Sequence, residues 1–109
     1  MTTQQTTRAL GTLTLDDLAR YVGRKLANNT YVEADSDGSI GVRFHNTRIL
    51  TFHPEGSFTV NTGGYRSVTT KQRLNALLPS GYRIFSERYA WKITTPEGTF
   101  DFEDGDTWK

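Results

Sequence analysis

The sequence passes from strand-like to helix-like patterning at Asn61–Leu78, which reads N-T-G-G-Y-R-S-V-T-T-K-Q-R-L-N-A-L-L. The pair Gly63-Gly64 predicts a tight hairpin turn, because glycine readily adopts the positive φ angles that two-residue turns need. Thr69, with Gln72 three residues later, forms a capping-box pattern, so a helix is expected to begin there. Leucines at helical spacing supply its buried stripe, and a proline–glycine signal at 79–81 ends it.

The start of this helix is a candidate anion site. Free backbone N–H groups at a helix N-terminus attract anions, and cationic side chains nearby suit phosphate or carboxylate. The candidate partner-binding residues are Arg66, Thr69, Thr70, Lys71 and Arg73, extended by Arg43 and Arg48. The alternative is that Thr69 only caps its own helix and the bases form a solvated face. The segment lacks the G-x-x-x-x-G-K-[ST] spacing of a P-loop, which argues against nucleoside triphosphate binding.

A first helix is expected after Thr14. Thr14 is a favourable N-cap, and Asp16 and Asp17 fall in the first turn, where the helix dipole favours carboxylates. Apolar residues at helical spacing continue as far as Leu26, and the pair at 28–29 marks the exit.

From Thr30 onward the apolar residues alternate with polar ones, as in strands. Three turns, at 37–40, 55–58 and 97–100, share an acid, a glycine, a hydroxyl residue and an apolar residue in that order, and they predict three hairpins. The predicted strands are 30–34, 39–44, 48–53, 57–62, 65–68, 82–86, 90–94 and 99–102. The expected fold class is α+β: a mainly antiparallel sheet of hairpins and meanders, with an N-terminal helix and a short second helix packed on it.

Composition indicates one small domain. The 109 residues carry a net charge of +1 and include no cysteine, so disulfides and thiolate metal sites are excluded. We expect a flexible tail at 1–11 and a single domain at 12–109. No apolar run has the length of a membrane-spanning helix, and the N-terminal residues lack a signal-peptide pattern. These features predict a cytoplasmic protein without membrane contact.

Charge is distributed unevenly along this nearly neutral chain. The segment Arg43–Arg73 carries five bases against one acid, whereas Asp101–Lys109 carries four acids and one lysine. Near-neutral net charge gives no bulk attraction to nucleic acid, but a local basic region can still steer an anionic partner.

Aromatic residues interleave with bases between Tyr82 and Lys92, in a chain that holds 13 aromatics. Aromatics beside bases are typical of surfaces that bind single-stranded nucleic acid, and also of protein interfaces. The alternative is that Phe85, Trp91 and Phe100 are core residues.

The two histidines, His45 and His53, show no metal-binding spacing, so no metal and no cofactor is expected. No pattern of nucleophile and base predicts an enzyme. A small ribonuclease, using either histidine with Arg66 and Lys71, is the enzymatic alternative.

The stretch from about Asn46 to Leu78 resembles small proteins of unassigned function in phages and prophages of actinobacteria. Those proteins share a strand, an acid–glycine turn, and a G-G-W/Y-R-T/S-x-T-T-K-x-R-x-N segment. The matching residues are Thr47, Ile49, Leu50, Glu55, Gly56, Gly63, Gly64, Tyr65, Arg66, Ser67, Thr69, Thr70, Lys71, Arg73 and Asn75. Tyr65 and Ser67 depart from the commonest residues at their positions. The resemblance implies a phage or prophage origin and brings no activity with it.

The leading hypothesis is a small non-enzymatic binding protein of phage origin, acting in the bacterial cytoplasm on nucleic acid or on an acidic protein surface. Interference with host machinery or host defence is included in this hypothesis, on the strength of the resemblance alone. A protein–protein interaction module that uses aromatics, such as an inhibitor or a structural phage component, is the alternative, and the small ribonuclease is the second alternative.

Overall fold

The computed structural model describes residues 13–64 and 66–109. The expected tail at 1–11 and the place of Tyr65 in the predicted hairpin lie outside the described residues. The helices are α1 (Leu15–Ala19) and α2 (Val68–Leu77). The strands are β1 (Lys25–Ala27), β2 (Thr30–Ala34), β3 (Ile40–Phe44), β4 (Thr47–Phe52), β5 (Phe58–Val60), β6 (Arg83–Glu87), β7 (Ala90–Thr95), β8 (Gly98–Asp101) and β9 (Asp106–Trp108).

The strands form two antiparallel sheets. One sheet has the order β1-β2-β3-β4-β5-β9, and the other has the order β6-β7-β8. The three predicted acid–glycine turns connect β2 to β3, β4 to β5 and β7 to β8, and each connected pair is antiparallel. The predicted α+β class, mainly antiparallel with two helices, is therefore confirmed.

Helix α1 is shorter than its apolar spacing predicted. Thr14 is the N-cap and exchanges capping-box hydrogen bonds with Asp17, as expected. The helix nevertheless ends at Ala19, because Gly23 takes a positive φ of 79° and donates its N–H to the Val32 carbonyl. The chain turns back there, so Leu26 lies in β1 and not on a helix.

The predicted hairpin at Gly63-Gly64 is wrong in the part that the structure describes. Both glycines have positive φ, as expected, but residues 66–68 of the predicted strand at 65–68 do not form a strand: Ser67 caps α2 and Val68 is its first residue. Strand β5 pairs instead with β9, near the end of the chain. This pairing joins residues almost fifty positions apart, and no local turn pattern predicts it.

Helix α2 contacts both sheets, through β4 and β6. Leu74 and Leu77 are buried on its inner side, in agreement with the predicted stripe. Asn75 holds the open edge of β6: its side-chain amide donates to the Ile84 carbonyl and accepts from the Ile84 N–H, both at 2.8 Å. The helix therefore closes a strand edge that would otherwise lack partners, and this fixes the β6–β7 hairpin beside the start of α2.

Candidate nucleic-acid interface

Ser67 is the N-cap of α2. Its hydroxyl accepts a hydrogen bond from the Thr70 N–H at 3.1 Å, and Thr70 is buried. Thr69 was the expected cap but lies inside the first turn, where its side chain is exposed. The capping-box pattern therefore misplaced the helix start by two residues. Ser67 satisfies the same backbone requirement earlier in the chain, directly after Arg66.

A groove of about 610 Å³ runs between the start of α2 and the β6–β7 hairpin. Its lining includes the bases Arg66, Lys71 and Arg88 and the aromatics Tyr89 and Trp91. No carboxylate lines it among the described residues. Arg66 and Lys71, both predicted from the sequence, are thus brought together with an aromatic–basic pair from a different part of the chain.

The floor of this basic–aromatic groove is the Trp91 ring. The Arg66 guanidinium carbon lies 5.6 Å from its centroid and the Lys71 ammonium 5.4 Å from it. Lys71 also donates to the Ser86 hydroxyl at 2.8 Å. Cations held over an aromatic face are positioned by the ring without losing their charge. The two bases are therefore oriented but still available to an anion.

The tip of the β6–β7 hairpin projects beside the groove. Arg88 and Tyr89 are its two turn residues, between the paired Glu87 and Ala90. Their φ angles are 53° and 72°, the sign pattern of a type I′ turn, which Asn-Gly fills best. Tyr89 is fully exposed, at 101%, and neither side chain has a partner within the described parts of the chain. Two large side chains thus occupy a backbone conformation that disfavours them, and both face solvent.

Within the described residues, Arg66 has one acidic neighbour. Its guanidinium lies 3.8 Å from an Asp104 carboxylate oxygen, and it also lies 5.4 Å from the Phe102 ring centroid. Asp104 is committed elsewhere, since it accepts from the N–H of buried Thr62 at 2.7 Å and from its hydroxyl at 2.8 Å. The pair is long and partly exposed, so it neutralises Arg66 only weakly.

Thr69, Thr70 and Arg73 lie on the other side of the helix start. They line a second space of about 600 Å³, the turn cavity, together with His45 and Asn46 of the β3–β4 turn. The predicted anion site, which included Arg66, Lys71 and Arg73, is therefore divided between two spaces. Ser67 lines both spaces and marks the boundary between them.

Arg43 and Arg48 do not join either group. Arg43 donates to Glu33 at 2.7 Å, and Arg48 pairs with Glu33 and Asp35, each at 2.9 Å. Hydrogen bonds from Arg43 first and Arg48 second hold the pKa of Glu33 below its ordinary value, and Arg48 does the same for Asp35. Because their charge is already matched, these two arginines stabilise the outer face of the six-stranded sheet. Neither arginine lines the groove or the turn cavity.

Space for the Arg48 side chain comes from Gly41 on the neighbouring strand. A Cβ atom added to Gly41 would collide with the Cζ and Nε atoms of Arg48. Only glycine at that position lets the guanidinium cross β3 to reach the acids of β2.

The histidines occupy separate surroundings. His53 is within 2.7 Å of the Thr59 hydroxyl, whereas His45 lines the turn cavity. Among residues 13–64 and 66–109, no group of three or more histidine, cysteine or acidic side chains is placed to hold a metal ion. The helices in those ranges are too short or too polar to cross a membrane.

The sequence contained a signal for the second half of the groove. Arg88-Tyr89 and Trp91 belong to the stretch where aromatics interleave with bases, but nothing local indicated that this stretch would lie beside Arg66 and Lys71. The link is made by Asn75, which holds β6 against α2.

Comparison with known protein families matches residues 12–109 to the family described as Kyanoviridae Gp96 protein, a family of phage proteins. The phage origin implied by the resemblance is confirmed, while an actinobacterial source stays a prediction. No curated protein and no solved structure matches the chain.

Proposed function

The chain belongs to the Kyanoviridae Gp96 protein family, and we propose that it is a small phage-encoded protein that binds single-stranded nucleic acid in the basic–aromatic groove. The carrying observation is that three bases and two aromatics line one groove without a carboxylate among the described lining residues. Basic side chains neutralise backbone phosphates, and an exposed aromatic ring stacks on nucleobases of any sequence. Tyr89 is the exposed ring here, whereas Trp91 is only 6% exposed and serves to position Arg66 and Lys71. The proposed partner is single-stranded nucleic acid of the infected cell, from host or phage.

The geometry favours an unpaired strand over a duplex. Tyr89 stands at a hairpin tip, fully exposed, where a splayed-out base can stack on its ring. Bases within a duplex are already stacked on each other and present only their edges to a protein. The hairpin tip thus adds affinity for single strands that a duplex cannot use.

The test is fluorescence anisotropy with a labelled single-stranded oligonucleotide and the matching duplex. Three phosphate contacts predict a slope of log K against log salt of about −2, equivalent to roughly a 20-fold loss between about 50 and 200 mM salt. Lys71→Gln and Arg88→Gln should each weaken binding and flatten the slope by about 0.7. The matched controls are Lys25→Gln and Arg24→Gln, which remove the same charges from exposed positions outside the groove.

Equal effects of the groove variants and their controls would reduce the binding to general charge and contradict the groove assignment. Absence of binding at low salt would exclude nucleic acid. An acidic protein surface would then become the leading partner class for the same bases.

A further inference from the structure

The turn cavity is separate from the basic–aromatic groove and is built differently. It opens between the β1–β2 turn, the β3–β4 turn and the start of α2, with a volume of about 600 Å³. The two turns are tied together, since the His45 N–H donates to the Asn29 carbonyl at 2.8 Å. A space of this size is within the range of small-molecule sites.

Arg73 is the charged centre of the turn cavity. Its Nε donates to the Thr30 hydroxyl at 3.1 Å, and its guanidinium carbon lies 5.7 Å from the Phe44 ring centroid. These contacts fix the side chain but leave its two terminal NH2 groups without a partner within the described residues. Within the described residues, no acidic side chain lines the cavity. A fixed guanidinium with free NH2 groups and no competing carboxylate suits a phosphate oxygen pair.

The rest of the lining mixes apolar side chains, Phe44 and Ile49, with polar ones from asparagine, serine and threonine residues and His45. Asn28, Asn29 and Asn46 contribute side-chain amides, and among the described residues none of these amides has a protein partner. Amides present both donors and acceptors, which suit the edge of a base or the hydroxyls of a sugar. Thr69 adds a hydroxyl that has no partner in the described part of the chain, at the start of α2, where the backbone favours negative charge.

We propose that the turn cavity binds a phosphate monoester of nucleotide size, with Arg73 on the phosphate and the asparagine amides on the sugar or base. A monoester carries a charge of about −1.5 to −2 near neutral pH, more than a backbone diester, so a guanidinium discriminates in its favour. Two sources share this chemistry: a free mononucleotide and the phosphorylated end of a strand. The strand-end source rests on the proposed function, because Ser67 lines both spaces and a strand lying in the groove can reach the cavity.

The first arm of the test uses calorimetric titration with a nucleoside 5′-monophosphate, the corresponding nucleoside and inorganic phosphate. The monophosphate should bind at least about tenfold more tightly than the nucleoside, the effect of one or two hydrogen bonds to a charged group. Arg73→Gln and Thr69→Val should weaken it, and Lys71→Gln should not. Thr69 is exposed and does not cap the helix, so its variant tests the cavity even if Arg73→Gln impairs folding. A monophosphate that binds no better than its nucleoside would overturn the proposal.

The second arm compares oligonucleotides of one sequence with a 5′-phosphate, a 3′-phosphate or hydroxyl ends. Preference for one phosphorylated end, lost in Arg73→Gln and Thr69→Val, would support the strand-end source. Equal affinity of all three, with groove variants still weakening them, would leave the proposed function intact and overturn the strand-end source. Binding of the monophosphate alone, with no oligonucleotide bound, would overturn the proposed function and support a free-nucleotide site.

Discussion

Arg88 and Tyr89 occupy turn positions at which the backbone has positive φ, and a bulky side chain there is strained. Strain that persists at an exposed site with no partner among the described residues is a reason to infer a function for the side chain. The backbone of this turn favours glycine for stability, whereas the proposed interface needs a large side chain for binding. The two effects can be measured separately.

Replacing Tyr89 with glycine should separate stability from binding. The free energy of unfolding should rise by up to about 1 kcal/mol, because glycine adopts positive φ without the Cβ clash. Affinity for a single-stranded oligonucleotide should fall by about 5- to 100-fold, the effect of losing one stacked base. Urea unfolding and anisotropy measure the two effects, and Tyr89→Phe, which keeps the ring, is the control. A variant that binds as tightly as the original chain would remove Tyr89 from the interface.

Ser67→Ala should lower the free energy of unfolding by about 1 kcal/mol, because Ser67 caps α2. Thr69→Ala should change it by less than about 0.5 kcal/mol, as is usual for an exposed position without special contacts. Thermal unfolding of the two variants compares them directly. A larger loss of stability for Thr69→Ala than for Ser67→Ala would show that Thr69, which the sequence pattern favoured, is the cap.

At the scale of elements, the strands with local turns were predictable and the long-range pairings were not. Strand β2 was predicted as 30–34, and Thr30–Ala34 is formed, since the alternation and the turn after it are both local. Strand β1 was hidden inside a helical pattern that Gly23 interrupts. The short β9 has too few residues for any period to be read.

The arginine–carboxylate network on the outer face gives the six-stranded sheet a pH dependence. The ordinary pKa of a glutamate is 4.5, and that of Glu33 is lowered by Arg43 and Arg48. A lowered pKa in the folded state means that the stabilisation is complete above 4.5 and is lost as the pH falls through the folded-state pKa. Thermal midpoints should therefore fall less steeply on acidification in Glu33→Gln than in the original chain.

Glu97→Gln is the matched control, because Glu97 is exposed and has no ion pair among the described residues. An unchanged acid profile in Glu33→Gln would show that the ion pairs of Glu33 contribute no pH dependence.

At the scale of the molecule, the chain returns near its end to complete the first sheet. Strand β9 pairs with β5, and the ring centroid of Trp108 lies 5.8 Å from that of Phe100. Asp104 secures this return by binding Thr62. The basic–aromatic groove is linked to this pairing of β9 with β5, because Asp104 is also the acid beside Arg66.

Asp104→Ala should lower the free energy of unfolding by about 1–3 kcal/mol, since it leaves the N–H and the hydroxyl proton of buried Thr62 without an acceptor. Asp104→Asn keeps an acceptor oxygen and should cost less. It also removes the negative charge beside Arg66, so it should bind a single-stranded oligonucleotide more tightly than the original chain. Thermal unfolding and anisotropy test both effects. Equal stability of the two variants would contradict the role of the Asp104 acceptor.

The candidate site, like the fold, was predictable only where it depends on residues that are close in sequence. Arg66 and Lys71 lie within one local segment, and their neighbours on α2 were read from helical spacing. Their union with Arg88, Tyr89 and Trp91 depends on how α2 meets β6, and the separation of Arg73 depends on which side of the helix faces the turns. Both are tertiary facts that a local pattern does not contain.

The most direct test of the groove is an NMR titration of ¹⁵N-labelled protein with a single-stranded oligonucleotide at about 50 mM salt, where phosphate contacts are strong. We expect the amide shifts to concentrate at 66–71 and 86–91, while the amide signals of Arg43 and Arg48 do not shift. Shifts centred on the outer face of the six-stranded sheet, or no shifts at saturating oligonucleotide, would contradict it.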